Sequence, residues 1–466
     1  MSGSIGNHAI VVGAGMAGLA AAAALSSHFL RVTVLERDVL PSDAAARAGI
    51  PQGRHIHALL AGGLVALEKL LPGLEADLEQ AGAVRLTNTS ARMERPGFDS
   101  FPQREFGVSW LSASRPLLEF VTRRAVGRHG NIEWRDQCRV IEPTFDAGRV
   151  AVTGVRCAGQ DHGVGTISAD LVVDASGRGT LTWAALEAMG FAKPEETAIG
   201  VDFAYSTAIF ELPADDCPPW RTVIVLPSAP ATSRGAALAA IENGRWMVSI
   251  GANHGDVPPG DLEGFIAFAR TLRTTTVHDA IRGARPVGEI FRYQLPCSTR
   301  RHFEKLPRFP RGLLVVGDAI CRFNPVYGQG MSVGAQEAVI LASLLRARAA
   351  ETDPLDGLAP AFFAEVQAVL ETPWGIANND FIYPNTRGAR PADFERRLKF
   401  NRALVYLAAH DASVHKLMFE VNQLLKPQSA LRTPGIIERV TRVMALPHDV
   451  SSHCSAFGDA EWIRAD

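Results

Sequence analysis

Residues 8–36 constrain the fold most tightly. They read HAIVV, GAGMAG, LAAAAALSSHF and RVTVLE: an apolar strand, a glycine turn, an alanine-rich helix and a second strand. A strand that is apolar throughout is buried on both faces, and an alanine-rich helix can lie close on a sheet. The pattern therefore predicts a parallel crossover unit in a doubly wound sheet. Gly13, Gly15 and Gly18 lack the side chains that would keep a pyrophosphate from the backbone, and the helix behind them offers its positive end. Glu36 closes the second strand, where an acidic side chain can accept hydrogen bonds from both hydroxyls of a ribose. The spacing points to dinucleotide binding and leaves the choice of dinucleotide open.

A chain of 466 residues has length for two or three folding units and a large core, which excludes small disulfide-stapled and zinc-folded classes. With 47 basic against 49 acidic residues, no net field draws nucleic acid or an anionic membrane, so no nucleic-acid partner is expected. The six cysteines (Cys138, Cys157, Cys217, Cys297, Cys321, Cys454) form no CxxC pair and have no histidine at zinc-ligand spacing. They read as reduced thiols, with no metal site. His55 and His57 have no recognisable third ligand and read as loop or helix-start residues. The N-terminus lacks the basic and apolar regions of a secretory signal. The apolar run Met16–Leu25 stops short of the roughly 18 residues that span a bilayer. The expectation is a soluble, cytoplasmic protein with no transmembrane segment.

Along the chain, the apolar residues from Ile56 to Leu71 follow a helical period over 54–71, ended by Pro72 and Gly73. Ser114 and Pro116 open another helix. The runs IEWR, CRVIEPT and RVAVTGVRCA then read as a small antiparallel meander. Alternating, aromatic-rich strands follow, with an Asn243-Gly244 hairpin signal. The segment RGLLVVGDA returns to parallel-sheet texture, so the first domain is discontinuous. The resulting division is 1–90, 110–195 and 285–350 for the dinucleotide domain, 91–109 and 196–284 for a mostly antiparallel second domain, and 351–466 for a C-terminal helical region. The turn of Gly283, Pro286 and Gly288 is the expected join. The helical period of the last region fits docking on the core, while an apolar substrate would instead favour contact with a membrane or carrier.

Two further strand ends carry carboxylates. Gly317-Asp318 ends the strand LLVV, so Asp318 points into the crevice where such sheets bind ligands and can hold a polyol hydroxyl. The loop NPVYGQGMS follows. Pro325 fixes its approach, Gly328 and Gly330 let backbone amides come close to a flat ligand, and a helix from about Met331 aims its positive end there. Asp174, in DASGRG, repeats the strand-to-turn pattern, which also fits an ordinary Asx turn.

Taken in this order, the three signatures resemble the FAD-dependent aromatic hydroxylase and epoxidase class, with its glutathione-reductase-like, para-hydroxybenzoate-hydroxylase-like fold. The NPVYGQGM loop and the PQGRHIH segment at 51–57 most resemble squalene epoxidase and the bacterial polyene epoxidases of polyether biosynthesis. The resemblance runs from the first strand to about residue 345. It implies an α/β fold with a discontinuous FAD-binding Rossmann domain and an antiparallel substrate domain. It also implies that Gly13, Gly15, Met16, Ala17 and Gly18 cradle the diphosphate, with Glu36 on the adenosine ribose and Arg37 beside it. Arg47 or Arg54 would reach the flavin or its diphosphate, and Arg115 would open the next helix near the cofactor. Val140 would bracket the adenine, and Gly317-Asp318 would hold the ribityl chain. Gly330 and Met331 would lie against the pyrimidine edge, and Asp174 would touch the pyrophosphate side and NADPH. The halogenases' WxWxIP segment and lysine are missing, which disfavours halogenation.

In this class NAD(P)H, directly or through a separate reductase, reduces the flavin. One oxygen atom of O2 then passes through a flavin C4a-hydroperoxide to an electron-rich carbon. The protein supplies placement and a dry cavity. Phe203, Tyr205, Phe210, Trp246, Phe291 and Tyr293 are the candidate cavity wall, although each also fits sheet-core packing. Tyr327, beside the flavin loop, either gates the cavity, donates a hydrogen bond or packs. The expected reaction is epoxidation of an alkene in a large apolar polyene or terpenoid of secondary metabolism. Aromatic hydroxylation is the near alternative; a prenyl-chain flavin reductase and a non-enzymatic prenyl-binding protein are the distant ones. The expected partners are the apolar substrate, O2, and a flavin reductase or carrier protein.

Overall fold

The computed structural model describes residues 4–159, 163–212 and 218–445. Two compact units form from interleaved segments. The first contains Met1–Ala83, Ala113–Ala198 and Ser298–Pro373; the second contains Val84–Ser112, Ile199–Cys297 and Trp374–Asp466. The segment from 351 onward is thus shared between them, where the sequence suggested one helical region. The junction near 285 falls instead at Cys297–Ser298, inside the long strand Pro286–Arg301 and past the glycine-proline turn. Cys217 and Cys454 lie outside the described residues; Cys138, Cys157, Cys297 and Cys321 are free thiols.

The first unit is built on a five-stranded parallel sheet in the order Leu313–Val315, Leu171–Asp174, Gly6–Val12, Phe29–Leu35, Ile132–Arg135. Ala9, Ile10 and Val11 are wholly buried, as a central strand covered on both faces requires. In register, Val12 stands opposite both Leu35 and Asp174, and Asp174 opposite Val315. The carboxyl ends are therefore flush, and Gly13, Glu36, Ala175 and the Val316–Asp318 turn leave the sheet along one edge. Three helices meet through small residues. A Cβ on Gly334 of helix Gly330–Arg348 would lie 2.9 Å from Ala17 Cβ, and one on Gly63 of helix Ala61–Leu70 would lie 2.6 Å from Ser332 Cβ.

Two local expectations fail here. IEWR does not enter the meander: after helix Arg115–Val126 the chain returns as a crossover and Ile132–Arg135 becomes the parallel edge strand. The antiparallel meander is instead Cys138–Phe145, Val152–Gly159 and Gly163–Ser168. The helix expected over 54–71 starts at Ala61, because Pro51–Arg54 forms a 3-10 turn and Leu60 is extended, its N–H donating to Ser332 Oγ at 3.0 Å.

In the second unit, the strands Pro286–Arg301, Glu196–Glu211, Arg245–Ala252, Gly235–Ile241, Thr222–Val225 and Ala91–Glu94 follow one another across a sheet. The central pairs are antiparallel, and the last pair is parallel. Asn243 and Gly244 both take positive φ, 63° and 62°, in the expected hairpin. Helices Leu262–Arg270 and Thr276–Ile281 cover one face, burying Phe265, Phe268, Val277 and Ile281 against Phe210, Trp246 and Val248. A separate core joins Phe101 to Leu404, Leu407, Val414 and Val421 of helices Phe394–His410 and Ala412–Asn422.

Candidate functional site

The site lies along the flush carboxyl edge of the first unit. Gly13 takes φ 106°, and a Cβ there would meet Ala175 O at 2.7 Å; a Cβ on Gly18 would meet Gly13 O at 1.9 Å. Both glycines are therefore fixed by close backbone approach. Gly15 differs, because a Cβ there would meet only Arg115 Nη2, at 4.0 Å. Its side opens into a hollow that faces a guanidinium. Helix Met16–Ser26 starts at this hollow with no side-chain cap and no acidic residue in its first turn, which leaves its positive end for an anion.

Glu36 is buried. Its Oε2 accepts the Ala14 N–H at 2.9 Å and pairs with Arg47 Nη1 at 2.8 Å. The structure separates the two arginines that the sequence could not: Arg47 is buried under the glycine loop, while Arg54 is exposed at the end of its 3-10 turn. Arg47 also donates to Ala14 O at 3.1 Å and to Glu119 Oε2 at 3.0 Å. Burial opposes its charge, but Glu119 and Glu36 outweigh that and hold its pKa above the ordinary arginine value. Arg115 is tied to Glu119 Oε1 at 2.6 Å. Glu119, which the sequence reading missed, thus orients both arginines; its only signal was the i, i+4 spacing from Arg115. Arg37 points away, its side chain 61% exposed beside Asp38 at 3.9 Å. Val140 packs on the core that includes Val12 and Leu35.

Asp174 requires a correction. It is wholly buried, and its oxygens accept from Ser176 N and Oγ and from Thr182 N and Oγ1, at 2.6–3.1 Å. The carboxylate braces its own turn and the start of helix Thr180–Ala188 and has no oxygen turned toward a ligand. Asp318 contrasts with it: among the described residues no hydrogen bond reaches its carboxylate. Burial pushes its pKa up, and Arg322, Arg115 and Arg301 only partly offset this. A Cβ on Gly330 would lie 3.6 Å from Asp318 Oδ1, so the start of helix Gly330–Arg348 adjoins that carboxylate. This helix too has no side-chain cap and no acidic first turn. Gly317 takes φ 68°, and Gly328, at φ 65°, brings the 325–330 loop against Ala58. Asn324 holds the Pro325–Tyr327 turn by accepting the Val326 N–H, Met331 is buried, and Tyr327 is half-buried.

His57 Nδ1 lies 3.0 Å from His55 O, an acceptor only, so this nitrogen carries the proton. Burial, with Arg115 adding, pulls the His57 pKa down to about 3, and burial pulls that of His55 to about 4. Both rings are neutral. Among the described residues no group of three His, Cys, Asp or Glu could hold a metal, and no helix is long and apolar enough to cross a membrane.

The six aromatic candidates divide between two faces of the second unit's sheet. Phe203 stacks on Tyr205 at 5.2 Å between centroids, and Tyr205 meets Tyr293 at 5.8 Å. Phe291 shares the strand parity of Tyr293. Phe210 pairs with Trp246 on the opposite face, where both are buried under Phe265 and its helix. Those two are core residues and leave the candidate wall.

The edge has features that FAD would fit: a glycine hollow facing Arg115, where a diphosphate would lie, and Asp318 beside an open helix N-terminus; Glu36, where a ribose would lie, already accepts the Asp38 N–H on Oε1 at 3.1 Å. Residues 7–359 match the family described as FAD binding domain. Protein Rv3254 of Mycobacterium tuberculosis is 35% identical over 362 residues, covering 75% of each chain. Ubiquinone hydroxylase UbiL of Rhodospirillum rubrum is 36% identical over 91 residues, 20% of each. Among solved structures, the flavin-dependent brominase Bmp2 aligns with TM-score 0.65 at 15% identity, over 94% of this chain and 99% of that one. The p-nitrophenol 4-monooxygenase PnpA of Pseudomonas putida aligns with TM-score 0.63 at 19% identity, over 91% and 99%. The chain belongs to the FAD-binding-domain family and is an FAD-dependent enzyme with the fold of the flavin monooxygenases.

Proposed function

We propose that this flavoenzyme inserts one oxygen atom of O2 into a large apolar substrate, with an alkene as the reacting group. When bound and reduced by NAD(P)H, directly or through a reductase, FAD supplies the activation of dioxygen. The chain's own residues bind and orient. The hollow at Gly15 and Arg115 takes the diphosphate, Asp318 takes the ribityl chain, and the first turn at Gly330 and Met331 offers positive potential to the ring edge. Phe203, Tyr205, Phe291 and Tyr293 form the apolar surface offered to the substrate.

The observation that carries the choice of an alkene is the state of Tyr205. Burial, with Tyr293 adding, pushes its pKa above the ordinary tyrosine value; it stays protonated and cannot act as a base. A phenol is activated by losing its proton, and Tyr205 does not take it, whereas an alkene needs only placement and dryness. Hydroxylation of an aromatic ring is the second reading, favoured by the likeness to a protein named ubiquinone hydroxylase. Incubation with NADPH, O2 and matched panels of polyenes and phenols, followed by mass measurement, decides between them. A one-oxygen gain on polyenes supports epoxidation; a gain confined to phenols replaces it with the second reading.

A further inference from the structure

Glu337 sits within helix Gly330–Arg348, wholly buried behind Gly317-Asp318. Its Oε2 accepts the Gly317 N–H at 2.6 Å, and its Oε1 is buried with no hydrogen-bond partner among the described residues. Gly317 begins the turn that presents Asp318, at φ 68°, where an added Cβ would lie 2.8 Å from Ala17 Cβ. One carboxyl oxygen thus grips the amide of the turn that carries the ligand-facing aspartate. An ionised carboxylate with one bare, buried oxygen is costly; a carboxylic acid is far less so.

The surroundings favour the acid. Burial raises the pKa of Glu337, the Gly317 N–H lowers it, and Asp318 raises it further, to about 8. The Cys321 thiol is the other ionisable group that feels Glu337, and Arg300 and Arg301 act on that thiol. Helix Met16–Ser26, packed on this helix, has no ionisable side chain. Helix Ala61–Leu70 has Glu68, engaged by the amides of Gly73 and Glu75, and Lys69, which is exposed.

We propose that Glu337 is a positioning residue that works as a neutral acid, holding the Gly317 amide so that Asp318 meets the flavin, and that its ionisation loosens flavin binding. This rests on the reading that Asp318 holds the cofactor. The sign follows from linkage: if only the neutral form supports the turn, affinity for FAD is constant below the ionisation midpoint and falls by about tenfold per pH unit above it.

The test is fluorescence titration of the full-length apoprotein with FAD between pH 6 and 9.5. Wild-type protein should bind evenly up to about pH 7.5 and then progressively more weakly. Glu337→Gln, uncharged at every pH with an oxygen for the Gly317 amide, should keep the neutral-pH affinity and lose the alkaline fall. Glu337→Ala should bind weakly throughout. A wild-type affinity that is flat to pH 9.5 overturns the proposal without any variant, and so does an alkaline fall that persists in Glu337→Gln. Asp318→Asn separates the two readings: unchanged affinity removes the assignment of Asp318, and weakened affinity with the alkaline fall retained upholds it.

Discussion

Asp318 and Asp174 show how alike two strand-end carboxylates look in sequence and how differently they are hydrogen-bonded. Both end an apolar strand and have a glycine close by, yet Asp174 has its oxygens filled by its own turn while Asp318 has none filled. Asp318→Ala should therefore give folded protein with little bound flavin, read from the visible absorbance after gel filtration, whereas Asp174→Ala should lower the melting temperature first. Retention of wild-type flavin content by Asp318→Ala would remove the site assignment. Arg47 makes a different prediction. Truncating it to alanine leaves buried Glu36 with backbone N–H partners only and buried Glu119 with Arg115 only, at a cost of about 3 kcal/mol, measurable by urea denaturation. These carboxylates were only partly legible in the chain. Glu36 stands out in the sequence because it ends a strand, while Glu119 and Glu337 sit in helices, where a charged residue ordinarily marks the solvated face. Only tertiary burial sets them apart from solvated charges.

Among the elements, the parallel sheet was readable because strands buried on both faces are apolar at every position. IEWR was misplaced because four residues carry no period that tells an edge strand from a meander. The division of the aromatics was within reach: Phe203 and Phe210 are seven positions apart on one strand, so their parity sends them to opposite faces. What the chain could not tell is which face meets the helices Leu262–Arg270 and Thr276–Ile281, since both faces are apolar. The close helix contact at Gly334 predicts that Gly334→Val will push against Ala17 and cost about 1–3 kcal/mol in thermal or urea unfolding. At the start of helix Ala412–Asn422, Asp411 accepts the Val414 N–H at 2.9 Å. Burial opposes its charge, but Ser413, that amide and Arg439 outweigh it and hold the carboxyl at about 2. The depressed value means that the stabilisation is full above the ordinary aspartate value and is lost as pH falls toward 2. Asp411→Ala should lower stability by about 1 kcal/mol at neutral pH and progressively less in acid.

On the scale of the whole molecule, each unit is assembled from three separated stretches of chain. The strand that delivers Asp318 follows the inserted segment Ile199–Cys297, so a fragment ending at residue 198 lacks both an edge strand and the carboxylate proposed to hold the ribityl chain. Such a fragment should fail to bind FAD, and a yellow fragment would contradict the site. Oxygen transfer by a flavin held along that edge is tested most directly by the mass of the product formed from an apolar alkene under isotopically labelled dioxygen. One labelled oxygen atom per product molecule is the predicted result; a product with unlabelled oxygen, or NADPH consumption with no oxygenated product from any alkene or aromatic offered, would contradict it.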